Sequence, residues 1–228
     1  MTPWTPNTNP WCMFMNSLGE AQLREVLDSQ RELFEGRGGI TEEHVAKWGT
    51  VSIIVGQATT YRIPPELVHE WPEVVAISMK LVHEEELDER DKLWIKELAA
   101  ASGWSVDDIV EELKNLDADP SERVERYKSL FEGYYREALE YKEKGDTKQA
   151  GEKIWGAVTA LIKLYAALKG VFIDHWSLGK LYRFVESSVE VKHRKLFMDL
   201  LDKAFILHIH FYEAHLGPEG FEERDGRK

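Results

Sequence analysis

EYKEKGDTKQAGEKIWGAVTALIKLYAA, Glu140–Ala167, decides the fold. Gly145 stops one helix, and Asp146 with Gln149 three residues on reads as the capping box of the next. That helix extends to about Lys169, roughly 36 Å at 1.5 Å per residue. Ile154, Val158, Leu161, Ile162, Tyr165 and Leu168 recur at helical spacing and form a wide apolar arc flanked by Trp155. Glu152, Gly156, Thr159, Ala160 and Lys163 line the opposite side, small residues between two charges.

Working outward, Asp119 or Ser121 caps a helix to about Lys144, with Tyr127, Tyr134 and Tyr141 every seven residues. Ser177 opens a shorter helix to Val189, and Lys192–Leu216 forms a last one, ended by Gly217-Pro218. Short turns between long helices imply an up-and-down four-helix bundle over residues 119–217, with 218–228 as a flexible tail. Residues 1–73 read as an N-terminal extension with a helix at Ser17–Glu35 and a buried strand at Thr50–Val55. Residues 74–118 read as strand Val74–Val82, helix Leu87–Ser102 and a second helix capped by Ser105. The expected class is mainly α with a small N-terminal α/β region.

The chain has 228 residues and 43% hydrophobic content, enough for its own core. Its formal charge of −12 is uneven: residues 1–118 carry 10 Lys and Arg against 22 Asp and Glu, residues 119–228 carry 19 of each. That balance argues against broad electrostatic capture of nucleic acid and leaves only the second half room for a local basic patch. The single Cys12 excludes an internal disulfide and a cysteine-based zinc cluster. No apolar run approaches a membrane span, the first residues MTPWTPNTNPWCMFMN lack the basic region and continuous apolar core of a secretory signal, and a cytoplasmic setting is expected. Dense mixed charge suits a thermophile surface.

GDTKQAGEKIWGAVTALIKLYA (Gly145–Ala166) resembles the signature of the archaeal PaREP family, and LHIHFYEAH (Leu207–His215) resembles its second signature. GWSVDDIVEEL (Gly103–Leu113) sits where such proteins carry a short helix, so the resemblance spans about residues 88–217. It implies a HEPN-like helical bundle, whose better-known members bind nucleotides or cut RNA, often as dimers. The HEPN ribonucleases use an Arg and a His with four to six residues between them, and no such pair occurs within residues 121–216. Arg37…His44 and Arg62…His69 have the spacing but lie outside the bundle. Separately, strand–helix–helix over 74–118 resembles the ribbon–helix–helix repressors, although its ribbon would hold a single cation, Lys80, ahead of Glu84, Glu85 and Glu86.

Three groups of residues are candidates for function. Glu152, Thr159 and Lys163 border a shallow groove suited to an anionic ligand, or to a second helix with the two charges paired across it. His208, Tyr212 and His215 share a core-facing line suited to ligand or proton handling, while His210 falls on the other side. A metal there would need a further ligand such as Glu137, Glu152 or His175; otherwise the histidines are satisfied interior hydrogen-bonders. Lys180, Arg183, Lys192, Arg194 and Lys195, interleaved with Tyr182, Phe184 and Phe197, make a basic cluster suited to nucleic acid, or a solvated cationic turn. The expectation is a non-enzymatic binding protein with no cofactor and no membrane partner. It would be a homodimer that engages a nucleotide, RNA or a protein through its bundle. The alternatives are a HEPN-type nuclease and a ribbon–helix–helix regulator.

Overall fold

The computed structural model describes residues 51–55, 59–63, 69, 71–118, 120–171, 173 and 178–225. The expected Ser17–Glu35 helix and His175 lie outside them. Strand β1 (Val51–Val55) pairs antiparallel with β2 (Thr59–Ile63), Val51 opposite Ile63 and Val55 opposite Thr59. All other regular structure among the described residues is helical.

α1 (Pro72–Val82) stands where a strand is expected, which corrects the reading of Val74–Val82. Pro72 occupies its first turn, where its fixed φ fits a helix and its missing N–H costs nothing. Val74, Val75, Ile77 and Ser78 are buried at helical, not alternating, spacing. Packing of that stripe outweighs the β preference of a Val-Val pair. The ribbon of a ribbon–helix–helix fold is therefore not formed by this segment.

α2 (Glu89–Ser102) begins at Asp88, whose carboxylate accepts from the Arg90 and Asp91 amides while Asp91 reaches back to the Asp88 N–H. Gly103 ends it at φ 71°, a left-handed turn that glycine adopts without a side-chain clash. Two residues later Ser105 caps α3 (Val106–Lys114) by accepting from the Asp108 amide. A 3-10 turn at Pro120–Arg123 leads into α4 (Val124–Glu143), and Lys144–Asp146 turn the chain back into α5 (Thr147–Leu168). Asp146 caps α5 at the Gln149 amide, as the sequence implies. α6 (Leu178–Ser188) and α7 (Val191–Glu213) follow, and α8 (Pro218–Asp225) replaces the expected flexible tail. Phe221 explains the correction, since its ring is buried against α7.

α5 is the central element. α4 lies antiparallel along it, α7 covers a second side, and α6 and the end of α2 close the rest. Sixteen of its 22 residues are buried. Its small side is buried as well, because Gly151 meets the α7 backbone at Leu207 and Gly156 meets the α2–α3 corner at Gly103. The buried residues from Val74 to Phe221 form one continuous core.

Candidate functional site

The two sides of α5 carry two polar constellations. The first is interior and charged. Lys163, 2% exposed, points from α5 to Glu112 of α3, Nζ 2.5 Å from Oε1. The same carboxylate accepts from Tyr127 Oη at 2.9 Å and from Arg123 at 3.3 Å, and Arg126 Nε lies 3.5 Å from its other oxygen. The Lys163 ammonium also rests over the rings of Trp104 (5.0 Å) and Tyr127 (5.3 Å). Burial pulls the Lys163 amine down, Glu112 opposes this, and the balance is about 8. Burial and the Glu112 charge push the Tyr127 phenol up. Arg123 donates to the Ala118 and Asn115 carbonyls, serving groups just past the end of α3. Every member is engaged inside the protein, so this network ties α3, α4 and α5 together.

The second constellation borders a cavity of about 180 Å³ between α2, α5, α6 and α7. Ala101, Trp155, Thr159, Leu178, Leu181, Phe205 and His208 line it. His208 Nδ1 lies 2.6 Å from Glu152 Oε2, the ring stacks on Trp155 at 5.3 Å, and Tyr212 meets it edge-on at 5.3 Å. Trp155 is fixed in turn by donating to the Ala101 carbonyl at 2.9 Å. The Thr159 hydroxyl shares its one proton between the Ser102 (3.0 Å) and Gly156 (2.9 Å) carbonyls. Burial and then the Glu152 charge raise the Tyr212 phenol above its usual range.

Of the six candidate ligand residues, Glu152, Thr159, His208 and Tyr212 come together here. Lys163 does not pair with Glu152 across a groove; the α2–α3 corner fills that groove and each charge has its own partner. His215 is exposed beyond the end of α7, 5.6 Å from His210. His210, expected on the far side, is 2% exposed. Its Nδ1 accepts from the Leu216 amide at 3.0 Å and Nε2 lies 3.2 Å from Thr147 Oγ1, so the ring proton sits on Nε2. Burial, with His215 and Lys148 nearby, holds its pKa below the usual value. Among the described residues no cluster of three or more metal-ligating side chains occurs.

The basic residues occupy the α6–α7 region. Arg183, Lys192 and Lys195 are exposed, Lys180 and Arg194 half-buried. Lys195 pairs with Asp199 at 2.5 Å, Lys192 lies 3.7 Å from Glu190, and Arg194 donates to the Val189 carbonyl. Phe184 and Phe197 are in the core, and Tyr182 donates to Asp202, so these rings do not form an exposed stacking surface. Glu112 and Arg123 were missed by sequence reasoning. Their signal was Glu112 itself, a carboxylate on the same helical stripe as Ile109, Leu113 and Leu116.

No helix of the described residues is long and apolar enough to cross a membrane. No curated protein and no solved structure matches the chain. Residues 126–228, from α4 through α8, match the model of the archaeal PaREP1/PaREP8 family.

Proposed function

We propose that this chain is a non-enzymatic binding protein, a homodimer whose HEPN-like helices hold a nucleotide-class ligand between α5 and α7. One observation carries the reading: the Glu152–His208 pair stands at the wall of a cavity otherwise lined mainly by apolar side chains. Ligand sites are typically concave and apolar, with few convergent polar groups. A space of about 180 Å³ suits a ring system better than an RNA strand or a protein surface. His208 has no arginine within the 13 residues before it, so the Arg–His arrangement of the HEPN nucleases is not available to it. Holding a ligand is the simpler use of this pair.

Calorimetric titration of the full-length chain with nucleosides and nucleotides tests the proposal. Micromolar binding that falls at least tenfold in His208→Ala, with a labelled RNA left intact, is the expected result. RNA cleavage lost in the same variant would favour the hydrolase instead. Sedimentation velocity at micromolar concentration checks the dimer.

A further inference from the structure

We infer that the cavity between α2, α5, α6 and α7 selects an uncharged planar ring that donates a hydrogen bond, and excludes anionic groups. This rests on the binding reading and narrows its ligand. The Glu152 carboxylate can only accept, so in the neutral His208 ring the proton sits on Nδ1, 2.6 Å from Oε2. Nε2 then presents a lone pair, and among the described residues it makes no hydrogen bond. Thr159 reaches the same result by another route. Its hydroxyl proton is committed to the Ser102 and Gly156 carbonyls, which leaves that oxygen only lone pairs to offer. With the His208 ring neutral, both of these side chains are acceptors toward the cavity's contents.

The remainder of the lining is Ala101, Trp155, Leu178, Leu181 and Phe205, with no cation among them. Glu152 adds negative charge just behind His208. A carboxylate or phosphate entering this space would leave water to meet lone pairs and a like charge, at high cost. Size points to a ring. An apolar cavity of about 150 Å³ accepts benzene, and this one is about 180 Å³. For a nucleotide, the base would enter and the phosphate remain outside.

The test compares three one-ring probes on the full-length protein by saturation-transfer NMR and calorimetry: phenol, anisole and benzoate. Phenol should bind 2–10-fold more tightly than anisole, the span of one net hydrogen bond, and benzoate should be weakest. His208→Phe should abolish the preference for phenol over anisole. Ala101→Leu, at an exposed lining position on α2, should weaken phenol and anisole together while circular dichroism stays unchanged. Equal binding of phenol and anisole, or preference for benzoate, overturns the inference. Nucleotide binding that none of the rings competes with, and that both variants leave unchanged, overturns it while the binding reading survives. Phenol selectivity without any nucleotide affinity leaves the inference standing and removes the nucleotide.

Discussion

Glu112 is the residue on which the interior charge balance turns. It alone supplies the side-chain carboxylate that meets both Lys163 and Arg123 in the network described. Removing its charge leaves two buried cations without the carboxylate they share. Breaking such a network from one side typically costs about 3–5 kcal/mol. Glu112→Gln should lower stability by about that amount in urea denaturation. Lys163→Met should cost clearly less, because Glu112 keeps Arg123, Arg126 and Tyr127 around it. An equal loss from both substitutions would show that the ammonium, not the carboxylate, is the hub. At this scale the sequence was half legible. Glu152, Thr159, His208 and Tyr212 stood out as polar residues along helices, and they do come together. The partner of Lys163 did not, since 51 residues separate it from Glu112 and helical spacing says nothing about contacts between helices.

Elements join closely where side chains are absent. A Cβ at Gly156 would lie 2.6 Å from the Gly103 carbonyl oxygen, and one at Gly151 would lie 2.7 Å from that of Leu207. Both neighbours are backbone and cannot rotate away. Gly156→Ala should push the α2–α3 corner off α5 and cost about 1–3 kcal/mol, read as a drop in melting temperature. α8 is held differently, by Phe221 against the His210 ring and by the Leu216 amide on His210 Nδ1. The folded protein keeps His210 neutral, with a pKa below that of the unfolded chain. Between those two values the unfolded state binds more protons, so stability rises with pH across that window and is lost as pH falls through it. Protonated Nδ1 would face the Leu216 N–H, and α8 should loosen first. Protection of the Leu216 and Phe221 amides, with the intrinsic pH dependence of exchange divided out, should fall below about pH 6.5, and His210→Gln should flatten that dependence. Sequence periodicity identified α5 because its caps and apolar arc agree. It misread Val74–Val82 because a short β-branched run does not separate strand from buried helix. It left α8 out because a single aromatic in a charged tail gives no period.

The whole molecule is organised around a core that runs from Val74 to Phe221 and crosses the edge of the family match at residue 126. Trp104 shows how tightly the two sides are joined: it is 4% exposed and donates to the Gly156 carbonyl at 3.0 Å. Trp104→Ala should cost about 3–5 kcal/mol, the range for emptying an aromatic site. Residues 126–228 expressed alone should show helical circular dichroism without a cooperative melt, against a single sharp transition for the full chain. A sharp melt of the short piece would mean that α1–α3 are an addition to an already complete fold. The stacking of α4, α5 and α7 was visible in sequence as apolar arcs, although only α5 of the three has a side-chain cap and neither Asp119 nor Ser121 caps α4. The docking of α1–α3 on them was not, because it depends on bare glycine surfaces, Trp104 and the Glu112 network. The buried amine of Lys163 gives that joint a practical meaning. Anyone who trims or transplants this protein at the family boundary would strand an ammonium group in oil, with its counter-ion left behind on the discarded piece.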